Sequence, residues 1–290
     1  MRLGLAFPQH RDGASRDSEL IARADALGVD GVLLDESAGL DPFVSAAALV
    51  CVASHAFIAV EIGVGMHPVH LAEKAAVADQ ILGGRLMLIL RGENATDLVE
   101  AASILADASR SRPFSSAGGR WPVPARRHEN ADARWTQIRV TPSPAQLSLP
   151  LFVSGAAGRD AALELGLPYF SDADESADEL TAFWGELQAR HGVIASRLLR
   201  AGRRPNPGDL ADIDRGLEQD RLGWGLEFAF LTAASGEPWN VAAVETIADA
   251  VRPRVQLAAL PAGTTDFWNA TIDVDRAAPE KTFKEGAACG

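Results

Sequence analysis

The chain has 290 residues, 47% of them hydrophobic, with a formal net charge of −12 and a pI near 5.0. That length suits one large barrel domain or two small ones, and the acidic balance argues against nucleic acid or a membrane surface as partner. The two cysteines, Cys51 and Cys289, stand far apart without metal-ligand spacing; there is no basic-then-apolar leader and no apolar run long enough for a bilayer, which together favour the cytoplasm.

Leu3, Leu5 and Phe7 alternate in a first strand, RLGLAF. Ser18 can cap a helix with Leu20, Ile21, Ala24 and Leu27 at helical spacing, stopped by Gly28. GVLLD (31–35) reads as a buried second strand, and Pro42 starts an Ala-rich helix running through Cys51. FIAVEIGV (57–64) is a third strand. Pro68 suits the first position of a helix that reaches Leu82 and stops at Gly83 and Gly84, and residues 85–90 form a fourth strand. Strand and helix in such repetition predict parallel strands joined by right-handed crossovers.

Residues 110–150 are rich in Pro, Gly, Ser and Arg and read as an excursion, with a hairpin expected near 135–140. Alternation resumes with LFVSG (151–155), a helix near 160–165, a short strand at 169–171 and a helix over 177–191. Residues 200–208 look like a polar, Pro-rich loop; FAFLTA (228–233) is a late strand and 241–251 a final helix. The seventh strand has only IASRLL (194–199) as a candidate, and residues after Pro261 read as a tail. Alternation alone fits a closed barrel or a doubly wound sheet. The first strand is followed by FPQHRDG, without a Gly-rich dinucleotide fingerprint, which weakens the latter.

The stretch HPVHLAEKAAVADQILGGRLMLILRG (67–92) resembles the luciferase-like flavin monooxygenases, in which HP opens the third helix, AE, DQ and GGR follow, and RG ends the fourth strand. RWTQIRVTPSPAQLSLPLFVSGAAGRDAALELGLP (134–168) resembles that family's return into the fifth strand, and ADALGVDGVLLDE with DPFVSAAAL (24–36 and 41–49) is a third match. The resemblance covers most of residues 1–192. It implies an α/β fold, a (β/α)8 TIM-type barrel; the weak pattern at the seventh strand leaves open an irregular or missing element there. One domain would span 1–260, with an insertion around 110–150 and a tail over 261–290. It further implies a monooxygenase that uses reduced FMN, supplied by a flavin reductase, to insert one oxygen atom from dioxygen into a small apolar organic substrate. Two alternatives stay open: a deazaflavin-dependent hydride-transfer enzyme, and a non-catalytic barrel paired with a catalytic homologue. A homo- or heterodimer is implied, and Ala-rich segments 46–52 and 72–78 allow close helix packing across an interface.

Arg91 follows an apolar strand and should emerge at the C-terminal rim, where barrel enzymes keep their sites. In the family, the arginine of this RG pair contacts the flavin phosphate; the competing reading is a rim salt bridge with Glu93 or Asp97. Ser154, Gly155, Ala156 and Gly158 form a small-residue loop before a helix, suited to an anion or to an ordinary turn. Many members end the second strand with an acidic residue and histidine; here Asp35, Glu36 and Ser37 stand there. Glu36 or His10 is the candidate for proton transfer, against solvated loop residues. The third strand turns almost directly into its helix through Gly63 and Gly65. His67 reads as a helix-opening residue, His70 lacks a third ligand for zinc, and Trp224 and Trp239 either line a pocket or pack.

Overall fold

Eight parallel strands pair in chain order and close, the last against the first, into a barrel. The computed structural model describes residues 1–7, 14–34, 41–110, 112–124, 136–233 and 238–251. His10, Asp35, Glu36, Ser37, Trp135, Cys289 and the 261–290 tail lie outside the described residues. The elements are β1 (Arg2–Phe7), α1 (Ala14–Ala26), β2 (Gly31–Leu34), α2 (Pro42–Ala48), β3 (Phe57–Gly63), α3 (Pro68–Ile81), β4 (Leu86–Arg91) and α4 (Ala95–Ala108). After the excursion come β5 (Leu151–Ser154), α5 (Gly155–Leu165), β6 (Tyr169–Ser171), α6 (Ala177–His191), β7 (Ala201–Arg204), α7 (Leu210–Gly223), β8 (Phe228–Leu231) and α8 (Val241–Thr246). No described helix is long and apolar enough to cross a membrane.

Strands buried on both faces split their apolar residues into two cores. One parity faces the helices and joins Leu3, Leu5, Val32, Val60, Leu88 and Val153 to the helix faces. The other fills the barrel, where Leu33, Met87, Ile89, Phe152, Phe170, Phe228 and Phe230 meet. Glycine makes room for the large rings: a Cβ on Gly4 would sit 2.5 Å from the Phe230 ring, and one on Gly31 2.6 Å from Phe228. Phe228 and Phe230 stack there with centroids 4.4 Å apart.

The family-like block 67–92 works largely as joinery. His67 Nδ1 accepts from Val69 N at 3.2 Å and caps α3, beside Pro68 at the first turn. The fully buried Asp79 carboxylate accepts from Leu86 N at 3.1 Å, Gln146 N at 3.0 Å and Gln146 Nε2 at 2.8 Å, so it ties α3 to β4 and to the returning excursion. Gln80 Nε2 donates to Ser143 O at 2.7 Å. Arg85 donates to the carbonyls of Leu82, Ala53 and Ala56 and so closes the turn beneath β3 and β4.

Several expectations need correcting. The barrel is complete, so no element is missing at the seventh strand. That strand is Ala201–Arg204, inside the stretch read as a polar loop, while the proposed candidate holds only a 3₁₀ turn at Ala195–Arg197. It escaped notice because its sequence, AGRR, has no apolar alternation: Arg204 is buried by ion pairing with Asp220 and by Ser171 Oγ at 3.2 Å, over the Trp224 ring. Helices α4 and α7 were not anticipated. In the described part of the excursion, Ile138 bridges Phe114 far upstream and Ser116 bridges Val123, while the hairpin expected near 135–140 lies partly outside the described residues. Residues 155–158 are not a loop, because α5 begins at Gly155 directly after β5. Cys51 is exposed.

Candidate functional site

The barrel's inward parity runs upward from its apolar filling into charge. Ala59 is followed by Glu61 on β3, Ile89 by Arg91 on β4, Phe152 by Ser154 on β5, and Ala201 by Arg203 on β7; Asp172 continues from Phe170 just past β6. These ends form the C-terminal face of a parallel barrel, the face that carries barrel active sites.

The four charged side chains close on one another. Arg91 Nη1 donates to Glu61 Oε1 at 2.9 Å, and Arg91 Nη2 donates to Asp172 Oδ2 at 2.5 Å. Arg203 Nη2 donates to the other Glu61 oxygen, and Arg203 Nη1 lies 3.6 Å from Asp172 Oδ1. Side-chain exposure falls from 45% at Arg91 to 17% at Asp172, 12% at Arg203 and 7% at Glu61. Two acids and two bases leave this quartet formally neutral. Arg91 therefore does not pair with Glu93 or Asp97, the partners considered from sequence; Asp97 pairs with Arg120 instead.

Asp172 is held from behind. Its amide donates to Glu175 Oε2 at 2.8 Å, and Glu175 Oε1 accepts from Tyr169 Oη at 2.7 Å and from Arg159 Nη2 at 2.5 Å. Burial pushes the Asp172 carboxyl above the usual carboxylate range; Arg91 pulls it back, Glu61 pushes it up, Arg203 lowers it and Glu175 raises it again. Burial also pushes Tyr169 up, and the Glu175 carboxylate on its hydroxyl adds to the shift.

One edge of Arg91 stays available. Its Nε makes no hydrogen bond among the described residues, and a Cβ placed on Gly155 would lie 3.7 Å from Nε and 3.8 Å from Nη2. The Nε/Nη2 edge thus faces the start of α5. Gly155 has φ +74°, and Ser154, the residue before it, makes no side-chain cap to the helix, so the first amide N–H groups of α5 are left without that partner. Ser154 Oγ is buried and reaches Glu61 Oε1 at 3.4 Å. A planar donor edge beside a helix start without a side-chain cap fits a phosphate.

Of the residues singled out from sequence, the structure brings Arg91, Ser154 and Gly155 together, and the exposed Ala156 follows in the same first turn. Gly158 is buried and serves packing, since a Cβ there would come within 3.1 Å of the Val153 carbonyl carbon. His10 and Glu36 fall outside the described residues. Trp224 and Trp239 are buried packing residues, with indole N–H groups donating to Asp220 Oδ1 at 2.9 Å and Ala6 O at 2.7 Å. His70 pairs with Glu73 at 3.1 Å. Sequence reading missed Glu61, Asp172 and Arg203. A carboxylate inside the apolar run FIAVEIG was the available signal for Glu61.

Solved structures of the same architecture are found at low sequence identity. Monooxygenase RslO1 from Streptomyces bottropensis aligns with a TM-score of 0.68 at 15% identity, covering 88% of this chain and 99% of that one. The oxygenating constituent of 3,6-diketocamphane monooxygenase from Pseudomonas putida, a type II Baeyer-Villiger monooxygenase in complex with FMN, gives 0.64 at 16%, covering 90% and 99%. An F420-dependent secondary alcohol dehydrogenase in complex with an F420-acetone adduct gives 0.69 at 14%, covering 88% and 98%. No curated protein matches the chain by sequence. The sequence profile described as luciferase-like monooxygenase matches residues 1–195, and the chain belongs to that family.

Proposed function

We propose that this barrel is a flavin-dependent oxidoreductase that binds reduced FMN at its C-terminal face and acts as a monooxygenase on a small apolar organic substrate. The observation that carries the reading is the Nε/Nη2 edge of Arg91, turned toward the uncapped first turn of α5 across Gly155. Arg91 and the α5 amides would hold the phosphate. Arg203 and Asp172 would keep Glu61 and Arg91 in register, and the apolar filling below would exclude water from the floor of the site. The bound flavin would supply the reaction with dioxygen that places one oxygen atom on the substrate. Glu36 and His10 remain the proposed proton-transfer groups. A flavin reductase would supply reduced cofactor, the protein would work in the cytoplasm, and a dimer is the proposed assembly. The FMN complex of the Pseudomonas putida protein supports this choice of cofactor, while the F420 complex of the alcohol dehydrogenase keeps a deazaflavin as the alternative.

The test is a titration of the pure protein with oxidised and reduced FMN and with F420, followed by fluorescence and calorimetry. Saturable binding of FMN at micromolar concentration is expected; no binding of any of them well above that range would overturn the proposal. One observation favours a second reading, a non-catalytic barrel that partners a catalytic homologue: the quartet gives the mouth no net positive charge for a phosphate. An exposed apolar groove between α2 and α3, with Val44, Val77 and Ile81 along it, would then meet the partner. Unaided oxygenase turnover by the isolated chain excludes this reading.

A further inference from the structure

We propose that Asp172 is a charge filter on the phosphate subsite, so that a doubly charged phosphate binds there only with uptake of one proton by the protein. This inference rests on the reading of Arg91 and α5 as that subsite. Its basis is geometric. Arg91 Nη2 is shared between the two functions: it donates to Asp172 Oδ2 at 2.5 Å, and it borders the Gly155 position at 3.8 Å. A phosphate taking the Nε/Nη2 edge therefore hangs on the same nitrogen as the Asp172 carboxylate. The two anions would be neighbours in a half-buried cleft, where charge repulsion is poorly screened.

Asp172 is the member of the quartet that can yield. Glu61 is gripped by two guanidinium groups and by Ser154, so its charge stays compensated whatever happens at α5. Asp172 is faced by Arg91 and Arg203 on one side, and by the Glu61 and Glu175 carboxylates from β3 and from the turn before α6 on the other. Its backbone carbonyl accepts from Arg204 and its amide donates to Glu175, so the loop itself is fixed and the carboxyl cannot simply leave with it. Burial and its two acidic neighbours already lift it above the ordinary carboxylate range, and a dianion on the shared nitrogen would push it further in the same direction. A singly charged phosphate, such as a diester, would repel it less and enter with less proton uptake.

The experiment compares FMN with riboflavin, which lacks the phosphate, on the wild-type chain and on Asp172→Asn between pH 5.5 and 8.5. Calorimetry in two buffers of different ionisation heat counts the protons taken up. In the wild type, FMN affinity should rise as pH falls while riboflavin affinity stays flat, with close to one proton taken up per FMN near neutral pH. Asp172→Asn should bind FMN about tenfold more tightly at pH 8 and lose most of the proton uptake. Loss of uptake in Asp172→Asn assigns the proton to this pair of neighbouring anions, and a phosphorus NMR shift showing that FMN bound to the wild type stays dianionic places it on Asp172; a bound phosphate that is itself protonated overturns the charge filter. FMN binding with no proton uptake in the wild type, or with uptake undiminished in the variant, overturns the charge filter and leaves the cofactor proposal standing. No binding of FMN by either protein overturns both.

Discussion

Replacing Glu61 by Gln keeps the shape of the side chain and removes the charge that joins Arg91 to Arg203. The two halves of its contribution differ. Arg91 is half exposed, and losing its pair should cost only about 0–1 kcal/mol because water screens and replaces it. Arg203 is nearly buried, and removing the partner of a buried charge costs about 3–5 kcal/mol. Asp172 lies 3.6 Å from Arg203 and offsets part of that, which brings the expected total to about 3 kcal/mol. With a urea slope of about 2–3 kcal/mol/M, the unfolding midpoint should drop by roughly 1 M. Adding Arg203→Gln should restore part of the loss, with a coupling of about 2 kcal/mol in the double-mutant cycle. A midpoint moved by under about 0.3 M, or additive single and double variants, would show that the quartet is solvated and holds nothing together.

Three further outcomes are expected. Arg91→Ala should weaken FMN binding about tenfold to a hundredfold while changing stability by no more than about 1 kcal/mol; Arg91→Lys should recover only part, and unchanged FMN affinity in Arg91→Ala refutes the phosphate role. Gly155→Ala, which places a methyl on a backbone at φ +74° beside the Arg91 edge, should lower FMN affinity and leave riboflavin affinity alone; an equal loss for both ligands points to general distortion instead. Burial would raise the Asp25 carboxyl, but the amides of Ser54, Ala56 and His55 and the Ser54 hydroxyl bring it down to about 2. A carboxylate depressed on folding stabilises above its unfolded pKa and loses that contribution as pH falls through 4 toward 2, so Asp25→Ala should lose about 2–3 kcal/mol at pH 7 and the gap should narrow toward pH 2; a constant gap refutes this.

The barrel was legible where each strand carried apolar residues at both parities, as in β1, β3 and β4, and where Pro42 and Pro68 marked helix starts. It was not legible at β7, because burial of Arg204 depends on Ser171 from β6 and on Asp220 and Trp224 from α7 and its end, two segments apart from it in sequence. The site divides the same way. Arg91 and the β5–α5 junction stand out locally, as a cation at a strand end and as small residues before a helix. Glu61, Asp172 and Arg203 belong to the site only because closure brings β3, β6 and β7 to one mouth. Pairing of Arg91 with either distant acid outcompetes the sequence-near Glu93 and Asp97, since both of those follow the strand, whereas Glu61 shares Arg91's inward parity.

That parity also bears on how a charge-balanced quartet would receive the proposed anion. The chain as a whole carries −12, so its long-range field repels a phosphate, and a balanced quartet adds no attraction at a distance. On the proposed reading, affinity would come from contact: a fixed guanidinium edge and a helix start without a side-chain cap, both in place and costing little to organise. The carboxylates that neutralise Arg91 are the same groups that hold its plane still. Had Arg91 been a lone rim cation, its side chain would be mobile and the order needed to bind would have to be supplied on each encounter. Charge balance at the mouth therefore gives up steering and gains preorganisation, and Asp172, the group nearest the open edge, is where the two demands meet.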